Sequence, residues 1–306
     1  MTTETAVASP LKQIPAGIWV LGFVSLLMDI SSEMIHSLLP LFMVTTLGTG
    51  TIAVGIVEGL AESLALVVKV FSGTASDYWR KRKGLAAFGY AMSAFSKPLF
   101  ALASDVVFVL TARLLDRIGK GVRGAPRDAL IADIAPPHLR GAAFGLRQSL
   151  DTAGAILGPL LAVGLMLLWA NDFRAVFWVA AIPGLLAVAL LCLGIREPQH
   201  HQLSRRNNPV HWETLARLGT GYWWVVGVGA VCTLARFSEA FLVLRAQRGG
   251  IPLALVPLVM VAMFIASALA GFLWDRLGAS FTFVAGALFC AVALIGLVLY
   301  RLKYET

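Results

Sequence analysis

The sequence contains little charge and little cysteine. Only 14% of its 306 residues are Asp, Glu, Lys or Arg, whereas 58% are hydrophobic and the mean hydropathy is +0.80. A water-soluble domain needs more charge to hydrate its surface, so the composition indicates an integral membrane protein. The three cysteines, Cys192, Cys232 and Cys290, lie in apolar runs without metal-ligand spacing, so we expect no metal site and no redox role for them.

The sequence also lacks the motifs of ATP-driven and enzymatic chemistry. It has no Gly-x4-Gly-Lys-Ser/Thr loop, no His/Cys cluster and no Ser/His/Asp spacing, so we expect no cofactor and no enzymatic activity. The net charge of +8 does not indicate nucleic-acid binding, because the basic residues collect at one side of the apolar runs, as in Arg80-Lys81-Arg82-Lys83. This asymmetry predicts a cytoplasmic N-terminus in a cell (inner or plasma) membrane.

Nine apolar runs are long enough to cross a bilayer, which takes about 20 helical residues. They cover residues 17–47, 51–76, 84–104, 106–135, 141–170, 173–195, 220–245, 251–274 and 280–300. A polar stretch after the sixth run separates a complete block from an incomplete one. We therefore expect an all-α membrane protein with a six-helix N-terminal bundle over 1–196, a cytoplasmic linker over 197–218, and a partial, about three-helix, C-terminal bundle over 219–306.

The fourth run is unusual because five basic residues lie in a segment that should cross the membrane. One helix face carries four of them, Arg113, Arg117, Lys120 and Arg127, together with Gly124. These five positions follow one another by four, three, four and three residues, the spacing of a single helix face. Because a charge at bilayer depth costs ~2.5–3.5 kcal/mol on insertion scales, this face should line a wet cavity. Arg117 and Lys120, near mid-depth, are the main candidates for contact with an anionic group.

The outer two arginines of this face are expected to behave differently. Arg113 and Arg127 should extend towards the two membrane interfaces, beside Asp116 and Asp128. Lys97 in the third run has no assigned role.

The first two runs supply acids. Asp29, Glu33 and His36 lie at i, i+4 and i+7, and Glu58 and Glu62 share a helix face. Carboxylates one turn apart repel each other, which favours binding of a proton, as a proton-coupled carrier requires. The alternative is that these acids only neutralise the fourth-run bases and hold the bundle together.

Two further sets of residues are candidates from position alone. Arg236 and Glu239 could complete a cavity from the second block, or they could form a local i, i+3 pair. Gly154 and Gly158 should allow close helix contact, and Pro159 can kink the helix there.

Four segments, in order, resemble motifs of the major facilitator superfamily: Gly73 to Asp77 with the following basic residues, Arg117 to Gly121, Pro136 to Gly141, and Gly154 to Pro159. The resemblance implies helical blocks that alternate access to a central site. It links Arg117 to proton coupling and makes the loop after the second span a cytoplasmic gate. The gate residues would be Gly73, Asp77, Arg80, Lys81, Arg82 and Asp133.

The resemblance has two departures. Ala162-Val163 replaces the glycine pair that ends the fifth-span motif in antiporters, and nine spans replace the usual twelve. We expect a secondary transporter of a small solute, coupled to protons, with efflux favoured. The alternative is a transport-inactive shortened remnant or a scaffold that needs a partner chain, such as a second copy that supplies the missing helices.

Overall fold

The computed structural model describes residues 13–79, 81–197, 219–234 and 238–278, together with scattered residues between 281 and 291. Its first block contains six long helices, which match the first six predicted runs closely. They are α1 (Ala16–Leu41, continued by a π-helical turn, Phe42–Thr46), α2 (Thr51–Trp79), α3 (Arg82–Leu102), α4 (Val106–Ile134), α5 (Arg140–Leu168) and α6 (Phe173–Gly194).

Short polar residues set the start of two of these helices. Asp105 accepts a hydrogen bond from the Phe108 backbone N–H at 2.9 Å at the start of α4. Asp172 likewise accepts from the Arg174 and Ala175 backbone N–H groups at the start of α6. Each carboxylate satisfies N–H groups that have no partner within their own helix.

The charged helix α4 packs between α2 and α3, and α1 packs against α5 and α6. Glycines allow these close approaches. A Cβ atom at Gly119 would lie 2.6 Å from the Gly89 carbonyl oxygen on α3, and one at Gly121 would lie 2.8 Å from the Ala65 carbonyl oxygen on α2. The arginines of α4 are therefore placed against protein on two sides.

Six segments of the described chain are long and apolar enough to cross a membrane. They are Ala16–Thr46, Thr51–Ser76, Arg82–Leu102, Pro137–Leu168, Phe173–Gly194 and Leu253–Leu273. Helix α4 is not among them because of its charge, although its 29 residues would extend about 43 Å. The chain is a multi-pass membrane protein in which α4 is accommodated by its neighbours.

Beyond the linker, the described helices are α7 (Thr220–Leu234), α8 (Ala240–Arg248) and α9 (Leu258–Leu277), with a 3-10 turn at Leu253–Leu255. The expected continuous span over 220–245 is wrong, because Ser238 and Glu239 are not helical. The Ser238 hydroxyl accepts from the Ala240 N–H at 3.3 Å, a local bond that competes with helix continuation. Arg236 and most of the ninth predicted span lie outside the described residues.

The chain divides into two compact units, Met1–Met260 and Val261–Thr306. In the first, a core of buried apolar side chains joins α1, α3, α4 and α6 through residues such as Ile18, Leu21, Tyr90, Leu130 and Leu191. Helix α8 belongs to this unit and contacts α1 and α2. The described part of the second unit consists mainly of the later turns of α9.

Candidate functional site

A buried ion pair joins α2 to α4. Arg113 Nη2 donates to Glu58 Oε2 at 2.7 Å, and both residues are almost fully buried. The expectation that Arg113 extends to the membrane interface is therefore wrong. The reason is that a deeply placed carboxylate on the neighbouring helix gives the guanidinium a partner that spacing along one helix does not reveal.

His36 on α1 lies against the same carboxylate. Its Nε2 atom is 3.6 Å from Glu58 Oε2, and its Nδ1 atom is 3.4 Å from Glu33 Oε2 one turn earlier in α1. Three of the predicted residues, Glu33, His36 and Glu58, thus meet at one point. Helices α1, α2 and α4 are tied together there by charged groups.

The network continues to α3 through Asp116. Lys97 Nζ donates to Asp116 Oδ1 at 2.7 Å and to the Ser32 hydroxyl at 3.0 Å. Arg113 Nη1 lies 3.9 Å from the other Asp116 oxygen, so the expected local pairing of Arg113 with Asp116 is present but long. The sequence alone assigned no role to Lys97. In the structure it is buried at the end of a series of charged residues that connects four helices.

A second ion pair lies at the open side of the bundle. Arg117 Nη2 is 3.2 Å from Glu62 Oε1; the arginine side chain is 4% exposed and the glutamate side chain 54% exposed. Lys120, one turn further along α4, is exposed and interacts electrostatically with Arg117, Glu62, Glu33 and Asp29. Electrostatic interactions through Lys120 therefore link five of the predicted residues around the exposed Glu62 side chain: Asp29, Glu33, Glu62, Arg117 and Lys120.

Helix α5 packs against the side of α1 that carries Asp29 and Glu33. A Cβ at Gly154 would lie 2.7 Å from the Leu26 carbonyl oxygen and 3.0 Å from Asp29 Cβ, and one at Gly158 would lie 2.8 Å from Glu33 Cβ. Pro159 is buried within α5 directly after this contact. The two glycines therefore bring α5 against the turns of α1 that carry both acids.

A separate polar cluster lies along α4 between Lys120 and the end of the helix at Ile134. The Arg123 guanidinium lies 4.9 Å from the centre of the Tyr90 ring and donates to the Ser93 hydroxyl. Arg127 Nη1 donates to the Ser25 hydroxyl at 3.2 Å, and its Nε atom donates to Asp128 at 3.2 Å. The expected pair of Arg127 with Asp128 is present, whereas Arg123 lies off the predicted basic face and was missed.

At the end of the bundle that carries the predicted gate loop, Arg82 pairs with Asp133 and so joins the start of α3 to the end of α4. Gly73 faces Ala125, since a Cβ there would lie 3.6 Å from that alanine's Cβ. Lys81 is exposed just before α3. Of the other gate candidates, Arg80 and the Asp77 side chain lie outside the described residues.

Glu239, the candidate from the second block, lies half-buried directly before α8. Within the part of the chain that the structure describes, no group of three or more His, Cys, Asp or Glu residues could hold a metal ion. The candidate site therefore consists of ion pairs between helices, beside the exposed Glu62 side chain.

The sequence model of the Major Facilitator Superfamily matches residues 21–303. The chain therefore belongs to this superfamily, a class of membrane transporters. It is 35% identical, over 237 residues, to an uncharacterized MFS-type transporter of Methanocaldococcus jannaschii, covering 77% of this chain and 58% of the relative. It is 27% identical to the multidrug resistance protein MdtH of Photorhabdus laumondii, covering 66% of this chain and 48% of that protein.

Solved structures share the fold. A bacterial homolog of the human lysosomal transporter Spinster, in an inward-facing and occupied conformation, has a TM-score of 0.66 and 19% identity, covering 85% of this chain and 61% of that one. A POT family transporter in complex with 5-aminolevulinic acid has a TM-score of 0.56 and 16% identity, covering 79% and 49%. The chain thus spans about half to two thirds of the proteins it resembles.

Proposed function

We propose that the chain acts as a secondary transporter that moves a small solute by alternating access, driven by protons and in the direction of efflux. The observation that carries the proposal is the Glu62–Arg117 pair, which joins an exposed carboxylate to a buried guanidinium at 3.2 Å. Such a pair can exchange its partner for a solute or a proton, because one of its members is already in contact with water.

The neighbouring charges extend this site. Lys120, Glu33 and Asp29 surround the pair electrostatically, so the lining offers both signs of charge. Acids and bases in balance permit a proton to be taken up without leaving a large net charge within the bilayer. In this proposal Asp29, Glu33, Glu62, Arg117 and Lys120 form the coupling site, with Arg236 and Glu239 as contributions from the second block.

We assign the rocking blocks to residues 1–196 and 219–306, joined by a cytoplasmic linker over 197–218. The gate at the cytoplasmic end would consist of Gly73, Asp77, Arg80, Lys81, Arg82 and Asp133. The Arg82–Asp133 pair supports this assignment, because it already ties two helix ends together at the predicted cytoplasmic loop.

The proposed direction and location have separate support. Efflux is favoured by the similarity to proteins named multidrug resistance protein MdtH. A cell (inner or plasma) membrane with the N-terminus in the cytoplasm is favoured by the basic loop at residues 80–83. The partners of the chain are then the lipid bilayer, an organic solute and protons.

The test is pH-gradient-driven transport of ethidium in proteoliposomes. We expect flux for the wild type, a loss of about tenfold or more for Glu62→Gln, Glu33→Gln and Arg117→Ala, and unchanged flux for Asp105→Asn. The last variant is the matched control, since Asn retains the capping function of Asp105 far along α4 from the pair. Equal flux in all variants would contradict the proposed coupling site.

Absence of ethidium flux in the folded, inserted wild type would count against transport by this chain alone. A tandem fusion of two copies then tests the scaffold alternative. Flux restored by the fusion would show that a second copy can supply the missing helices.

A further inference from the structure

The Glu33–His36–Glu58 cluster is more buried than the exposed Glu62 carboxylate. The Glu58 and His36 side chains are 4% and 14% exposed, against 54% for Glu62. Both ring nitrogens of His36 face carboxylate oxygens, one from α1 and one from α2. The cluster therefore joins two helices through one imidazole.

The donor and acceptor inventory of this cluster favours an extra proton. A neutral imidazole has one N–H donor and one acceptor nitrogen, and an ionised carboxylate only accepts. With carboxylate oxygens at both nitrogens, the acceptor nitrogen would face an acceptor oxygen and repel it. The observed contacts are all attractive only when the cluster holds one proton more than two carboxylates and a neutral ring.

The surrounding charges indicate which group holds that proton. Glu58 Oε2 accepts from Arg113 at 2.7 Å, and Glu33 interacts electrostatically with Lys120 and Arg117. Positive neighbours stabilise the ionised form of a carboxylate. The imidazole, which lies between the two carboxylates, is the remaining group that can hold it.

We propose that His36 is the proton-carrying group of the transporter and that loss of its proton opens the contact between α1 and α2. This assignment rests on the proposed proton-coupled transport and makes it more specific. The imidazolium gives its Nε2 proton to water in the cavity, and the resulting lone pair faces the Glu58 carboxylate. Glu58 stays bound to Arg113, while α1 and α2 lose the ionic contact between them.

The second carboxylate oxygen of Glu58 is available to a new hydrogen-bond donor. Glu58 Oε1 is buried and has no hydrogen-bond partner among the described residues. The carboxylate can therefore turn towards another donor without breaking an existing bond of that oxygen.

The other elements around α1 add few charges to this point. Beyond Arg113, the network reaches Asp116 on α4 and Lys97 on α3. Helix α5 approaches through Gly158, and its Asp151 interacts with Asp29. Helix α6 contacts α1 through the Ala180 carbonyl oxygen, which accepts from Ser31.

The first test detects the proton itself and needs no solute. ¹⁵N-histidine-labelled full-length protein in lipid nanodiscs is titrated by NMR, and the His36 signal is assigned by its loss in His36→Gln. We expect an imidazolium signal from the wild type at a measuring pH of about 7.5. The imidazolium-to-imidazole ratio should fall about tenfold in Glu58→Gln, whereas His138→Gln, at an exposed turn, leaves the His36 signal unchanged.

The second test detects the helix movement. Spin labels at Phe23 on α1 and Tyr78 on α2, both exposed, report their separation by pulsed EPR at about pH 5.5 and about pH 9, on either side of the histidine range. We expect the distance distribution to shift between the two pH values in the wild type and to remain fixed in His36→Gln.

A neutral His36 ring at about pH 7.5, or an unchanged distance on titration, would overturn the assignment. Neither readout depends on solute flux. A wild type that transports ethidium but has a neutral His36 refutes only the assignment. A protonated His36 with pH-dependent movement but no ethidium flux counts against the proposed function for this solute.

Discussion

Lys97 on α3 donates to Asp116 on α4 at 2.7 Å, and each side chain is at most 3% exposed. Asp116 also faces Arg113, which is bound to Glu58 on α2. A lysine in an apolar helix is thus the terminal member of a charge network that reaches His36 and Glu33 on α1. Its position makes the stability of the bundle depend on charges from four helices.

Lys97→Met should destabilise the protein because it leaves a buried carboxylate with a weaker set of partners. Removing one member of a buried pair costs about 3–5 kcal/mol, and the loss should appear as a lower unfolding midpoint in detergent. Replacing both members, in Lys97→Met with Asp116→Leu, removes the orphaned charge and should recover most of the lost stability. Equal stability of the single variant and the wild type would contradict the pairing.

Gly158→Ala should weaken the contact of α5 with α1. The added methyl group would lie 2.8 Å from Glu33 Cβ and 2.9 Å from the Ile30 carbonyl oxygen, so the helices must separate, at a cost of about 1–3 kcal/mol. Gly164→Ala on the same helix is the matched control, since nothing lies within 4 Å of its Cβ position. Thermal unfolding of both variants checks the prediction, and a similar shift in the two would refute it.

Arg82→Ala and Asp133→Ala should each have a small effect on stability. Both side chains are partly exposed, at 20% and 23%, and such pairs contribute about 0.2–1 kcal/mol. A double-mutant cycle measures the coupling between them. The proposed gate predicts a larger effect on the ratio of inward-open to outward-open states, measured by cysteine accessibility, with Arg140→Ala, at an exposed position outside the gate, as the control.

Arg117→Lys should reduce coupled transport although it preserves the charge. A lysine ammonium is a compact point charge and cannot reproduce the planar guanidinium whose Nη2 atom lies 3.2 Å from Glu62 Oε1, so water should replace the contact more readily. We expect pH-driven ethidium flux to fall about tenfold, with equal folding yield. Flux equal to the wild type would show that only the positive charge at this position matters.

The order of the elements was predictable because hydrophobic runs of membrane length have few other solutions. The six helices of the first block begin and end close to the predicted limits, and family membership is shown by the match over residues 21–303. The seventh span was wrong because the Ser238 hydroxyl contact is local and polar and does not register in a count of apolar residues.

The partners of the charges were harder to predict. Spacing along α4 placed Arg113 and Arg117 on one face, but it did not show that Glu58 and Glu62, one turn apart on α2, bind them respectively. The role of Lys97 depends on Asp116, 19 residues later in another helix. The sequence showed only that opposite charges occur in adjacent apolar runs. The packing of α3 on α4 determines that Lys97 pairs with Asp116.

The charge of α4 has a consequence for how the protein is made. Each of its five basic residues would cost ~2.5–3.5 kcal/mol at mid-bilayer on insertion scales, so α4 alone is a poor substrate for entry into lipid. Its partners Glu58 and Glu62 on α2, and Lys97 and Ser93 on α3, precede it in the chain and are synthesised first. We expect α4 to leave the insertion machinery already packed against α2 and α3, because these helices are synthesised first and provide the polar partners that lipid does not.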